Sequence, residues 1–385
     1  MRFTEDRNDL DETPEQDKCF IFGHGSEKTQ ENDLQQIRFP QKKEESHTQK
    51  SCDPLDHGTT PYTDGPCFAG SLPATVSCRQ CPGKYLYIYP TDYDADRCRA
   101  TAPAEYPTAE AFHLAARYYK LEEKLRPGRY GIAPRMNTKQ ILETLAHGKQ
   151  SAVRFHLRHV RTQEDLIGRM TGKLMMKPEE LSSLLADSAF CDSLGFDSHS
   201  IRSLFLPETY EVDWDIRPKD LVLRLKRYYD RYWTAERRSL ADSLGLTPIQ
   251  VSIIASIVEE ESGKADEYPQ IAGLYIRRLR EGMPLQADPT VKFAMGDFSI
   301  RRILNVHLQT DSPYNTYKNE GLPPGPIRLP HTATMDSVLR ADRHGYLYMC
   351  AKEDFSGRHR FAHTYAEHQR NAALYRKALN ERGIK

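Results

Sequence analysis

Thr247-Pro-Ile-Gln-Val-Ser-Ile-Ile-Ala-Ser-Ile-Val-Glu-Glu-Glu-Ser-Gly263 is the stretch on which the reading of this chain turns. Thr247 with Gln250 three residues on makes a capping box, Pro248 suits the first helical position and Gly263 suits the stop. The spacing predicts a helix of about four turns. With Ile254 set to zero and about 100° per residue, Ile257 falls near −60°, Val258 near +40° and Val251 near +60°, which defines one apolar stripe. Of the three consecutive glutamates only Glu261 falls inside that stripe. Glu259 lands near +140° and Glu260 near −120°, towards polar surroundings. A carboxyl held against apolar side chains has its charged form disfavoured and keeps its proton towards neutral pH, as a general acid must.

Working outward, the chain of 385 residues has room for two or three domains. Lys and Arg balance Asp and Glu at 54 each, so the net charge of zero gives no reason to expect nucleic acid as the partner. No apolar run approaches the roughly 18 residues that span a bilayer, and no charged-then-apolar leader opens the sequence. Six of the eight cysteines (Cys19, Cys52, Cys67, Cys78, Cys81, Cys98) lie in about the first quarter of the chain, none of the six beyond residue 98. The Cys78-x-x-Cys81 pair lacks a second pair at zinc spacing, so no metal is expected there. Cys191 and Cys350 read as small apolar fillers.

Residues 1–83 are polar and without sustained period, and read as a disordered tail. Order is expected to begin at the strand Lys84-Tyr-Leu-Tyr-Ile-Tyr89. A helix over 109–125, a turn and extended piece over 126–132, a helix capped by Asn137 and stopped near Gly148, and the alternating strand 152–157 follow. From Thr162 the pattern turns helical, over 164–174, 178–185 and 218–233, interrupted by Phe205-Leu-Pro-Glu-Thr-Tyr210. Beyond the opening stretch come a helix over 269–280, an extended piece 284–288 and Asp288-Pro289, read as an N-cap with a first-turn proline. Two proline-rich segments follow, then a short helix near 335–340, strands at 346–350 and 359–362, and an amphipathic helix from Thr364 to about 382. The fold class expected is α+β, a small module followed by a mainly helical domain with short strands and long Pro-rich loops. The domain reading is 1–83 tail, 84–158 first module, 159–246 helical connecting region and 247–385 catalytic core.

The chemistry narrows by what is missing from the sequence as well as by what it contains. No Gly-x-Ser-x-Gly elbow, His-Glu-x-x-His helix or phosphate-binding glycine loop occurs. His359, His363 and His368 straddle a strand-to-helix switch that breaks fixed ligand spacing, so no metal is expected there either, and no cofactor. A lone glutamic acid on an apolar helix face, opposite loops carrying Gln286, Thr290, Tyr314, Asn315, Thr316 and Tyr317, suits sugar chemistry: aromatic faces stack, and amides and hydroxyls match hydroxyls. Glycosidases use two carboxyls, and Asp288 and Glu208 are the candidates for the second. If neither serves, Glu261 alone protonates the leaving oxygen and then accepts a proton from a hydroxyl of the same sugar, giving an internal anhydro ring.

Ala255-Ser-Ile-Val-Glu-Glu-Glu-Ser262, Gly282-Met-Pro-Leu-Gln-Ala-Asp-Pro-Thr-Val291, Ser312-Pro-Tyr-Asn-Thr-Tyr317 and Gly321-Leu-Pro-Pro-Gly-Pro-Ile327, in this order, resemble the endolytic murein transglycosylases of the MltG (YceG-like) family. Phe205-Leu-Pro-Glu-Thr-Tyr210 and Arg126-Pro-Gly-Arg-Tyr130 extend the resemblance. The family pattern Ile-Val-Glu-x-Glu-Thr has its second glutamate catalytic, which falls on Glu261, while Ser262 stands where the family usually has Thr. The resemblance implies an enzyme that cuts peptidoglycan glycan strands internally between N-acetylmuramic acid and N-acetylglucosamine, leaving 1,6-anhydromuramic ends. It also implies a LysM-like module over 84–158, a place at the cytoplasmic membrane facing the cell wall through one N-terminal helix, and the wall-synthesis machinery as partner. The polar tail occupies the place of that helix here. A glycan-binding scaffold without activity, a two-carboxylate hydrolase and a histidine-dependent metal hydrolase are the competing expectations.

Overall fold

The computed structural model describes residues 84–90, 114, 116–133, 136–300 and 303–383. The expected tail with its five cysteines, Cys98, and the start of the helix expected over 109–125 lie outside the described residues. Among the described residues three two-stranded antiparallel sheets are scattered among helices, an α+β arrangement.

The first sheet pairs β1 (Lys84–Ile88) with β2 (Gly128–Ile132). Between them α1 (Leu121–Lys124) follows a break at Lys120, whose φ of 49° is left-handed, so the expected helix does not run through to residue 125. The next helix, α2 (Thr138–Ala146), opens on the expected Asn137 cap, which Gln140 completes into a capping box, and Gly148 at φ 65° turns the chain away. Ile88, Leu121, Leu125, Tyr130, Ile141, Leu142 and Leu145 form a small core of their own. The opposite face of β1 shows Tyr85, Tyr87 and Tyr89. Tyr87 and Tyr89 set their rings edge-on to Trp214 at 5.0 and 4.8 Å, and Gln150 Nε2 donates to Asp215 Oδ1 at 2.8 Å, which ties this module to the rest.

β3 (Val153–His156) pairs with β4 (Thr209–Val212), far along the chain, and its Val153 and Phe155 enter the large core. Both strands alternate, with inward residues buried and outward ones exposed; the alternation of β3 is expected above, and β4 is not. Between the two strands lie α3 (Gln163–Thr171), α4 (Pro178–Ala186) and α5 (Ser188–Ser193), followed by a 3-10 turn over Ser200–Leu204. Then come α6 (Pro218–Tyr232), α7 (Ala235–Leu244) and α8 (Pro248–Glu261). Neither α5 nor α7 is foreseen above, although Thr234 caps α7 and Gly245 at φ 69° ends it.

α8 is the axis of the molecule. Its capping box forms as expected, but its burial is wider than one stripe, since Ser252, Ile253, Ala255 and Ser256 are buried along with Val251, Ile254, Ile257 and Val258. A helix covered on all sides is a core helix. It packs against α7, the 3-10 turn, α9 (Tyr268–Arg280), α10 (Asp288–Met295) and α11 (Thr332–Leu339). Its end is made by Ser262, with an extended backbone, rather than by Gly263. The third sheet, β5 (Tyr348–Ala351) with β6 (His359–Ala362), lies under α12 (Tyr365–Glu381). Cys191 and Cys350 are buried. Among the described residues no single helix is long and apolar enough to cross a membrane; α7 and α8 pass that test only together, bent by 75°.

Candidate active site

Three acidic residues end α8, at the helix pole that repels negative charge. The structure resolves the conflict differently for each. Glu259, its side chain 6% exposed, accepts from the His331 backbone N–H at 2.8 Å, His331 Nδ1 at 2.7 Å and Thr334 Oγ1 at 2.7 Å, with Arg328 Nη2 at 3.0 Å. Glu260 accepts from Arg161 Nη2 at 3.1 Å and Arg328 Nη1 at 2.8 Å. The polar surroundings inferred from the helical wheel are therefore ion pairs and hydrogen bonds, supplied by Arg328 of the proline-rich segment, by His331 and Thr334 just after it, and by Arg161 ahead of α3.

Among the described residues Glu261 forms no ion pair. It is 2% exposed, and Tyr275 Oη donates to its Oε1 at 2.7 Å. Burial pushes its carboxyl up from 4.5 to about 8; the Tyr275 hydrogen bond opposes the rise, Asp288 and Glu260 add to it and Lys292 opposes it. Near neutral pH the side chain is a protonated acid. Tyr275 is buried beside it, and the same burial with the neighbouring carboxylate holds the phenol well above its ordinary value.

Asp288 departs from the N-cap expected of it. Ala287 is the capping residue, Asp288 is the first residue within α10, and its Oδ1 accepts from Tyr317 Oη at 2.6 Å. It is 6% exposed, and its charge acts on both Tyr317 and Glu261. Tyr317 is correspondingly pushed far up by burial and by Asp288. Arg278, 8% exposed, donates to the Leu347, Leu285 and Pro284 carbonyls at 2.6, 2.9 and 3.3 Å, fixing the segment that delivers Asp288. Burial lowers its pKa while Tyr275, Tyr348, Tyr317 and Glu261 favour its charge.

The remaining candidates divide by task. Thr290 and Thr316 are buried with hydroxyls 2.8 Å apart; Thr316 Oγ1 accepts from the Ala287 N–H at 3.0 Å and Thr290 Oγ1 donates to the Ala287 carbonyl at 2.7 Å. Asn315, also buried, donates to the Leu308 and Thr310 carbonyls at 2.9 and 2.8 Å and accepts from the Tyr317 N–H at 3.1 Å. These three, expected to meet sugar, hold the loops that place Asp288 and Tyr317. Tyr314 packs on Phe293, ring centroids 4.7 Å apart, and its hydroxyl accepts from Arg202 Nη2 at 3.1 Å. Gln286 is exposed at φ 50°, its N–H bound to the Thr316 carbonyl at 3.1 Å. Glu208 is exposed ahead of β4, its carbonyl accepting from the Leu157 N–H at 3.2 Å.

Ser262 is buried and keeps the hydroxyl that a threonine would bring. Its Oγ donates to Glu267 Oε2 at 3.1 Å and accepts from the Lys264 N–H at 3.0 Å. Glu267 is also held by the His359 N–H and Nδ1 at 2.9 and 3.1 Å, so this histidine serves the turn after α8. His368 stacks on Tyr348, and among the described residues no group of three or more histidines, cysteines and carboxylates could hold a metal ion.

Tyr275, Arg278 and Arg328 were missed by sequence reasoning. Tyr275 and Arg278 lie in α9, where the helical pattern marks Tyr275 only as apolar; the usable signal was that a buried tyrosine hydroxyl needs a partner. Arg328 lies in a loop whose prolines draw the eye instead.

The model of the YceG-like family matches residues 102–374. The endolytic murein transglycosylase of Bacillus subtilis (strain 168) is 32% identical over 185 residues, 48% of this chain and 50% of the relative. That of Streptococcus pneumoniae serotype 2 (strain D39 / NCTC 7466) is 29% identical over 179 residues, 46% of this chain and 32% of the relative. The chain thus matches half or less of the length of these curated relatives. A crystal structure of a yceG-like protein of Listeria monocytogenes superposes with a TM-score of 0.51 at 23% identity, covering 75% of this chain and 98% of that one, a likeness of fold.

Proposed function

The chain belongs to the YceG-like family, and from that membership and the Glu261 site we propose that it is a peptidoglycan lytic transglycosylase that cuts nascent glycan strands endolytically. The observation that carries the reading is a carboxyl 2% exposed, held by Tyr275 and driven up to about 8, at the position of the α8 terminus the motif marks. The curated relatives named endolytic murein transglycosylase support it.

In this reading Glu261 gives its proton to the glycosidic oxygen between N-acetylmuramic acid and N-acetylglucosamine as the C1–O bond breaks. The buried Asp288 carboxylate favours the positive charge that develops at the sugar ring. The 6-hydroxyl of the same muramic residue then attacks C1 and passes its proton to the Glu261 carboxylate, closing the 1,6-anhydro ring and restoring the acid. No cofactor is called for. Tyr317 holds Asp288 in place, and Glu208, exposed ahead of β4, has no part. Gln286 and Tyr314 are the remaining candidates for glycan contact.

The module of β1, β2 and α2 is proposed as the LysM-like part that holds the strand, and the cell envelope on the wall side of the cytoplasmic membrane, beside the synthesis machinery, as the place of action. Glu261→Gln should abolish the formation of new strand ends while the circular dichroism spectrum stays that of the wild type. Cleavage at the wild-type rate by that variant would end the assignment.

A further inference from the structure

We propose that Arg328 is a positioning residue for the reaction: by bridging Glu259 and Glu260 it clamps the last turn of α8 to the proline-rich segment and so sets where Glu261 points. The inference rests on the proposed role of Glu261.

The geometry is unusual for an ion pair near a surface. One guanidinium reaches two adjacent carboxylates, Nη2 to Glu259 Oε1 at 3.0 Å and Nη1 to Glu260 Oε1 at 2.8 Å, with 11% of the arginine side chain exposed. Among the described residues its buried Nε has no acceptor, so the Nη atoms carry the hold. The segment on either side is riveted to the same neighbourhood: the Ile327 N–H donates to Ser256 Oγ at 3.0 Å and the Leu329 N–H to the Val160 carbonyl at 2.9 Å. Gly325 permits this path, because a Cβ there would lie 2.3 Å from the His199 carbonyl oxygen.

Adjacent residues on a helix point about 100° apart, so a rigid fork that grips two neighbours resists rotation of that turn about the helix axis. Glu261 is the next residue. Arg161 holds Glu260, and His331 and Thr334 hold Glu259, each from its own element; Arg328 joins both carboxylates through one rigid plane, which fixes their angle to each other. Near the clamp burial raises the Tyr268 phenol, Glu259 and Glu260 add to the rise and Arg328 opposes it. The groups acting on Glu261 itself are Glu260 from its own helix, Tyr275 and Arg278 from α9, Asp288 and Lys292 from α10, and Tyr317. Removing the arginine leaves Glu260 less well neutralised beside the acid, which favours its protonated form still more.

The test uses the full chain with Arg328→Gln and Arg328→Lys, on purified glycan strands across a pH series. For Arg328→Gln, kcat should fall about 10- to 100-fold with KM within about twofold, the loss expected when a reacting group is displaced by about an ångström. The alkaline limb of the rate profile should move upward. Lysine keeps the charge but cannot fork, so Arg328→Lys should leave that limb in place and still lose kcat. The same limb is readable without turnover, as the pH dependence of Tm relative to each variant made again on the Glu261→Gln background, so a wild-type protein with no activity would sink the reaction while leaving the clamp testable. A fall in Tm with kcat and the limb unchanged in both variants would overturn the proposal.

Discussion

Glu261→Gln should make the protein more resistant to alkali as well as inactive. The variant keeps an oxygen for the Tyr275 hydroxyl, bonded at 2.7 Å in the wild type, but cannot ionise. In the folded protein the carboxyl titrates at about 8, against 4.5 for an unperturbed one. Between those two values the unfolded chain has released a proton that the native protein retains, so the wild type loses stability as pH rises, by about 1.4 kcal/mol per pH unit, until the folded group itself ionises. The contribution is complete below the lower value and gone above the higher. From about pH 6 to about pH 9 the gap between variant and wild type should therefore widen by roughly 3 kcal/mol, or about 6–12 °C in Tm for a domain of this size. Thermal denaturation of both proteins across that range reads it directly. Parallel curves for wild type and variant would refute the claim that Glu261 is held protonated by burial.

Other expectations follow from the same contacts. Tyr275→Phe removes the hydrogen bond that favours the charged form of Glu261, so the alkaline limb of any rate profile should rise, and titration of activity checks it. Asp288→Asn removes a charge that raises Glu261, so the limb should fall, with a loss of rate of about tenfold or more if the carboxylate steadies a cationic sugar. Thr316→Val breaks two buried hydrogen bonds, to Ala287 and Thr290, and should cost about 1–3 kcal/mol by chemical denaturation. Gly325→Ala places a methyl against the His199 carbonyl and should lower Tm sharply; an unchanged Tm would mean the proline-rich segment does not lie where it is described.

What was legible in the sequence is what short-range physics controls. The cap at Asn137, the capping box at Thr247, the apolar helices and the strands at 84–88 and 359–362 are decided by neighbours a few residues apart. Glu261 was legible too, because an acidic residue in phase with isoleucines and valines has nowhere polar to go. Pairing across long separations was not: β3 alternates clearly, yet nothing local says that β4 is its partner. For the same reason Asp288 looks like a cap from its proline, while its partner Tyr317 is 29 residues away. Thr290, Asn315 and Thr316 have the chemistry to meet a sugar, and only the fold shows their polar atoms bound to backbone and to one another.

The most direct test of the account is mass spectrometry of strand ends after purified glycan strands are incubated with the wild-type protein and with Glu261→Gln. The account predicts internal cuts ending in 1,6-anhydromuramic residues for the wild type and none for the variant. Reducing ends from the wild type, or anhydro ends from the variant, would contradict it.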